Sequence, residues 1–284
     1  MNTDIRLDER LNEGSGVYFD AAAKIVSVQS PFQLIEVFQT PELGKLMRID
    51  GCNMLSERDE FFYHENFIHP AAITHTQPAT ALIIGGGDGG SAEELLKHPS
   101  IERLVLCELD AAVIEIANMH FASAHRGVFA NPNLTVNIGD GLSYLQNTKQ
   151  QFDLIYLDLT DPAGAAAALY TPAFYADCKR ALNTGGALTL HLGSPFSHPA
   201  RVNNSLKNLR QVFNIATPYF VHIPAYGAVW GFAVASDSLN IANLSTSEID
   251  LRITERNLRD RQFYNGAMHH AILALPEYIQ NLFA

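Results

Sequence analysis

Apolar and polar residues alternate between positions 17 and 55, in a stretch rich in β-branched and aromatic side chains. A period of two is the mark of half-buried strands. It predicts strands over 25–29, 33–39 and 46–50, divided by Ser30-Pro31 and by the turn from Pro41 to Gly44. These make a small antiparallel sheet. The rhythm then changes: 57–69 reads as a helix, and 74–80 as a polar, proline-containing joint. Beyond the joint, strand and helix patterns alternate. Strands are predicted at 81–84, 104–107, 134–138, 154–157, 187–191, 215–223 and 230–235, and helices at 91–97, 111–119, 172–182 and 199–213. Such alternation builds a parallel, doubly wound sheet with helices on both faces. The last two strands lie close in sequence, which predicts an antiparallel hairpin at one edge. The tail, 247–284, has charged and apolar halves and is expected to pack back as helix. The fold class is α/β, Rossmann-like and mostly parallel, preceded by a small N-terminal antiparallel β domain. The domain boundary is expected between 1–76 and 77–284.

The chemistry concentrates at the first strand of the doubly wound part. Four apolar residues, 81–84, run into Gly85-Gly86-Gly87-Asp88-Gly89-Gly90 and then a helical pattern. Glycines in a strand–turn–helix permit positive φ and close approach of a ligand. Asp88 alters the usual nucleotide reading. A carboxylate at a helix mouth repels phosphate and suits a ligand that carries an ammonium group, such as an S-adenosyl sulfonium compound. Further acids stand at the following strand ends: Glu108, roughly twenty residues past the glycines, where an acid takes ribose hydroxyls, then Asp140 between Gly139 and Gly141, then Asp158 and Asp161. One acid at a strand end is an ordinary cap or turn former; a set at successive ends of one sheet predicts a site.

Composition narrows the classes. The chain has 284 residues, 47% of them hydrophobic, enough for a full core. With 19 basic against 30 acidic residues and a net charge of −11, it lacks the basic face that nucleic acid needs; the charge is compatible with a cationic ligand and equally with a protein kept dispersed by charge. The three cysteines, Cys52, Cys107 and Cys178, form no disulfide framework. No signal peptide or membrane-spanning run is evident, so a cytoplasmic protein is expected. No metal is expected either. His64 and His69 bracket Glu65, but residues five apart lie about 140° apart on a helix and do not share a ligating face. Arg252, Arg256, Arg259 and Arg261 read as a solvated or interface helix face, and Trp230 as a packing residue.

These motifs together resemble the polyamine aminopropyltransferases, the spermidine synthase family. The resemblance rests on the glycine turn with Asp88, on Glu108-Leu109-Asp110, on Gly139-Asp140-Gly141 and on Asp158-Leu159-Thr160-Asp161-Pro162. Upstream, residues 55–65 (Leu-Ser-Glu-Arg-Asp-Glu-Phe-Phe-Tyr-His-Glu) match as well. So do Ile223-Pro224-Ala225-Tyr226, Trp230-Gly231-Phe232, Phe263-Tyr264-Asn265 and Ala274-Leu275-Pro276. The resemblance implies a methyltransferase-type Rossmann fold. It also implies decarboxylated S-adenosylmethionine as co-substrate, with no separate cofactor, a diamine such as putrescine as acceptor, and a homodimer or homotetramer. Gln33, His64, Gly85, Gly87, Asp88, Glu108, Asp140, Gly141 and Asp158 match donor-site positions. Tyr63, Asp158, Asp161 and Tyr226 match acceptor or catalytic positions.

The sequence departs from the family on the acceptor side. Asp161-Pro162 is followed by Ala163-Gly164-Ala165-Ala166-Ala167-Ala168 in place of a loop of Gly-Pro-Ala-Glu type. His191, in Leu190-His191-Leu192-Gly193, stands where a glutamine with a nearby glutamate is usual. His191 therefore either binds an acceptor amine or caps a strand, and looser recognition of the acceptor's far amine is expected. A methyltransferase using intact S-adenosylmethionine and a non-catalytic nucleoside or polyamine binder are the alternative readings.

Overall fold

The computed structural model describes residues 5–160 and 168–283. The N-terminal part opens with an antiparallel hairpin, β1 (Ile5–Arg10) and β2 (Gly16–Ala21). A four-stranded antiparallel meander follows: β3 (Ala23–Gln29), β4 (Leu34–Thr40), β5 (Gly44–Ile49) and β6 (Cys52–Ser56). Its inward residues Ile35, Val37, Met47, Ile49 and Leu55 form one core with Val113 and Ile116. The meander thereby packs onto a helix of the large sheet, α3 below.

Helix α1 (Glu60–Thr74) begins three residues later than the pattern predicts. The reason is local: the N–H groups of Glu57 and Arg58 still bond the carbonyls of Lys45 and Leu43. The helix also runs past Pro70. Phe67, Ile68, Ala71 and Ala72 share a core with the large sheet, and Arg252 and Arg256 donate to the carbonyls of residues 72–76 at its end. Of the two readings of these arginines, Arg252 and Arg256 fit the interface one: they cap the end of α1 instead of facing solvent.

The large sheet has seven strands: β7 (Thr80–Gly85), β8 (Arg103–Glu108), β9 (Leu134–Ile138), β10 (Phe152–Asp158), β11 (Leu182–Gly193), β12 (Ile215–Ile223) and β13 (Ala228–Ser236). Their spatial order is β12-β13-β11-β10-β7-β8-β9. Five strands are parallel, and β13 runs antiparallel between β11 and β12, forming the expected edge hairpin. Helices α2 (Gly90–Leu96), α3 (Ala111–His120), α4 (Ala122–His125), α5 (Gly141–Asn147), α6 (Pro172–Ala181) and α7 (Pro199–Val212) follow or join these strands. Alternation along β7 feeds both faces. Ala81 and Ile83 pack with α1 and α2, whereas Leu82 and Ile84 pack with the face holding α5, α6 and α7. The tail forms α8 (Thr246–Glu255), α9 (Gly266–Leu273) and α10 (Glu277–Gln280). Among the described residues no helix is long and apolar enough to cross a membrane.

Candidate active site

Strand order reverses between β7 and β10, since β8 and β9 extend one way from β7 and β11 lies beyond β10. Crevices at such switch points, beyond the carboxyl ends of the strands, are where open α/β sheets bind ligands. Gly85 is paired with Asp158 across this crevice. Gly85 has φ +83°, and a Cβ there would collide with the Asp158 carbonyl. Gly86 has φ +67°, and its N–H donates to that same carbonyl at 2.9 Å. The glycines thus let the turn fold flat against the end of β10.

Asp158 sits at the centre. Tyr63 Oη donates to its Oδ1 at 2.8 Å and Ser91 Oγ to its Oδ2 at 2.6 Å. Burial, aided by the nearby Asp88 charge, pushes the Asp158 carboxyl up to about 6, against a lowering from His64. The Tyr63 hydroxyl is raised well above the usual tyrosine range, by burial first and then by Asp158, so it remains a donor. Asp88 accepts from the Gly90 N–H at 2.7 Å, and its Oδ1 lies 3.5 Å from His64 Nε2. On the other side of the ring, Glu60 Oε2 meets His64 Nδ1 at 2.8 Å. Burial would lower the His64 imidazole, but Asp88 and Glu60 together raise it well above its ordinary value. His64 in turn outweighs the effect of burial on Asp88 and holds that carboxyl low.

A second group lies along β8 and β9. Glu108 is buried, and its oxygens accept from the N–H groups of Gly87 at 3.1 Å and Asp110 at 2.9 Å. Burial pushes it up to about 7. A Cβ at Gly87 would strike this carboxyl, so the glycine makes room for it. Gln33 reaches the same corner from β4's approach, donating through Nε2 to Asp110 at 3.0 Å. Asp140 is exposed at the start of α5, where it accepts from the N–H groups of Leu142 and Ser143. It is thus a helix cap as well as a strand-end acid. Gly141 lies against the Ile84 side chain, and a Cβ there would overlap it.

The aromatic wall is formed by Tyr63, Tyr226, Trp230 and Phe232. Tyr63 lies edge-on to Tyr226 and Phe232, with centroids 6.1 and 5.3 Å apart. Trp230 lies edge-on to Tyr226 at 4.9 Å and stacks on His191 at 5.9 Å. Tyr226 Oη donates to the Met54 carbonyl at 3.2 Å. His191 is buried, with Nε2 2.6 Å from Tyr170 Oη, so it belongs to this wall and is not an exposed strand cap. Asp161 and most of the altered loop fall within 161–167, outside the described residues. Among the described residues no cluster of His, Cys, Asp and Glu suited to a metal is present.

Three neighbours here lie outside the site residues that the motifs single out. Ser91 is signalled only by following the glycine turn. Glu60 stands four residues before His64, the spacing that brings helical side chains together. Tyr170 has no signal near it.

The comparisons with known proteins point to one family and one fold. The family model for the spermine/spermidine synthase domain matches residues 60–245. A polyamine aminopropyltransferase of Nitrosomonas europaea is 48% identical over 96% of this chain and 84% of its own length. The polyamine aminopropyltransferase of Sodalis glossinidius is 35% identical over 96% of this chain and 95% of its own. A spermidine synthase solved in complex with the transition-state analogue AdoDATO superposes with a TM-score of 0.93 at 31% identity, covering 99% of this chain and 96% of that one. The spermidine synthase of Thermotoga maritima gives 0.91 at 31% identity, covering 99% and 95%. On a match of this extent, the chain belongs to the spermine/spermidine synthase family of polyamine aminopropyltransferases.

Proposed function

We propose that the protein transfers the 3-aminopropyl group of decarboxylated S-adenosylmethionine to a diamine, with putrescine as acceptor and spermidine and methylthioadenosine as products. The observation that carries this reading is Asp158, held between Tyr63 and Ser91 at the switch point, with its proton affinity raised toward the working range. The reaction is displacement at the carbon beside a sulfonium. The acceptor nitrogen forms the new C–N bond as the C–S bond breaks, and the sulfur leaves as a neutral thioether. No acid is needed for the leaving group. The demand falls on the acceptor, an amine with a pKa near 10 in water on the lysine scale, which must shed a proton. Asp158 takes it, and Tyr63 orients the carboxylate. Such base assistance is worth about 10²–10⁴-fold, and alignment of the two substrates adds to it.

In this reading Glu108 holds the ribose hydroxyls, Asp140 with Gly141 borders the base, and Gln33 closes that end. Gly85 and Gly87 let the nucleoside approach the backbone. Asp88, with His64 behind it, takes the donor's amine; a donor that keeps the methionine carboxylate would be repelled there. Tyr63, Tyr226 and His191 line the acceptor's path, and Asp161 is assigned to the acceptor's ammonium on the family resemblance alone. His191 against Trp230 gives the far amine a weaker anchor than a carboxylate would, so longer diamines such as cadaverine should be tolerated. Asp158→Asn tests the assignment: kcat should fall about 10²-fold or more while methylthioadenosine binding by calorimetry stays close to wild type. Near-normal turnover of Asp158→Asn at neutral pH would remove the base from this account.

A further inference from the structure

His64 is 2% exposed and stands between two carboxylates, Glu60 and Asp88, and the charges of both Asp88 and His64 act on Asp158. Its ring also fits flat against Gly90, where any Cβ would overlap it, so the ring has little room to turn. Glu60 is buried too, and among the described residues it meets the reaction centre through His64, the Arg126 guanidinium standing 4.0 Å from its other oxygen. We propose that Glu60 is a positioning residue that acts through His64: it fixes the ring as a donor from both nitrogens, and so keeps one cation permanently beside Asp88 and Asp158. The proposal rests on the reading of Asp158 as the base.

The electrostatic logic runs through three carboxylates and one cation. Asp88 and Asp158 at one crevice repel each other as anions, which favours the proton on Asp158. A positive His64 opposes this, and it is among the groups that lower Asp158. Burial opposes the charged imidazole, so with a single carboxylate neighbour the ring would lose its proton on the acid side of neutrality. A second carboxylate on the other ring nitrogen keeps it charged above that. Removing the charge of Glu60 would let His64 lose its proton within the working range. Asp88 would then act on Asp158 unopposed, and the base would hold its proton to higher pH. The ionisable groups around the ring are Glu60 and Tyr63 from α1, Asp59 just before it, Asp88 from the glycine turn, Asp158 from β10, and His125 and Arg126 from α4 and its end. Asp59 is bound to Ser56 and the Ala225 N–H, and Arg126 to Glu93 at 3.0 Å; neither replaces Glu60 at Nδ1.

The test compares Glu60→Gln, Glu60→Asp and His64→Gln. The glutamine keeps the shape and an acceptor for Nδ1 but not the charge. In Glu60→Gln the acid limb of kcat/KM for putrescine should move up by about one pH unit, roughly a fivefold loss at pH 6 that shrinks as pH rises. Glu60→Asp should keep the wild-type limb. His64→Gln should shift the limb in the same direction, and adding Glu60→Gln to it should shift it no further, because both act through one cation. Nitrogen NMR of the histidine rings gives a readout independent of turnover. In the wild type His64 should keep both ring protons at pH 7.5, and in Glu60→Gln it should lose one. A pH profile of Glu60→Gln parallel to wild type would overturn the proposal, as would a singly protonated His64 in the wild type at pH 7.5. The latter needs no variant to fold. If the wild type transfers no aminopropyl group at all, the proposed reaction fails instead, while the NMR result still stands or falls by itself.

Discussion

Glu108 and Asp158 are carboxyls whose surroundings favour the proton, Glu108 rising to about 7 and Asp158 to about 6 because both are buried. A folded-state value above the unfolded one contributes stability that is full below the unfolded pKa and lost as pH rises through the folded one. Each acid therefore makes the fold less stable as pH climbs from about 4 through 6 to 7. Asp88 and Glu94 work the other way: Asp88 is held low by His64, and Glu94 sits at about 2 beside His69 and Lys97, so their contributions are lost only in acid. At neutral pH Asp158 is mostly ionised and Glu108 only in part, and a ligand that bonds to the anions would offset their cost. On the proposed ribose role, hydroxyls donate best to ionised Glu108. Affinity for methylthioadenosine should then be about tenfold weaker at pH 6 than at pH 8, with a proton released on binding. Calorimetry in buffers of different ionisation heat measures both; an affinity independent of pH, with no proton released, would remove Glu108 from the nucleoside contact. Glu108 and Asp158 could be picked out in the sequence because each ends an apolar strand. The partners are less legible: Ser91 meets Asp158 only when the glycine turn carries it across to β10, and Glu60 meets His64 only because one helical turn separates them.

Buried polar contacts between elements set the boundaries that hydrophobic rhythm misplaces. Glu65, fully buried in α1, accepts the backbone N–H groups of Gln262, Phe263 and Tyr264 at 2.6, 2.9 and 2.7 Å. Those donors lie in the non-helical passage between α8 and α9, so one carboxylate fixes how the tail returns to the large sheet. Glu65→Gln leaves a single oxygen acceptor and turns an amide toward N–H groups. It should cost about 1–3 kcal/mol by urea unfolding; a change below about 0.5 kcal/mol would show that the tail is held by its apolar contacts instead. Strands β8, β9 and β12 lie where the pattern places them: β8 is a continuous apolar run, as parallel strands covered on both faces are, β9 alternates Leu-Thr-Val-Asn-Ile, and β12 is rich in aromatic and β-branched residues. Strands β1, β2 and β6 were not recognised separately. The β1–β2 hairpin is mostly exposed and charged, and β6 is divided from β5 only by the tight turn at Asp50 and Gly51, both with positive φ. Helix α5 was also missed, being short and announced mainly by its Asp140 cap.

At the scale of the whole molecule, a chain of net charge −11 places Asp88, Glu108 and Asp158 at one switch point, where the proposed reaction brings a cationic donor and a cationic acceptor together. The strand order brings Gly85 and Asp158 side by side although more than seventy positions separate them, and α1 lays Tyr63 and His64 across the opening. Sequence pattern conveyed the doubly wound sheet and its antiparallel edge, since period and alternation are local properties. It did not convey the wall of Tyr226, Trp230 and His191, which exists only after β11 and β13 pair. The central claim is the group transferred. The most direct measurement is mass spectrometry of products from purified protein, given decarboxylated S-adenosylmethionine with equimolar putrescine, cadaverine and spermidine, and in parallel intact S-adenosylmethionine. The account predicts an aminopropyl adduct, chiefly of putrescine with some of cadaverine, matched mole for mole by methylthioadenosine, and no reaction with the intact donor. A methylated amine from the intact donor, or no product from either, would contradict it.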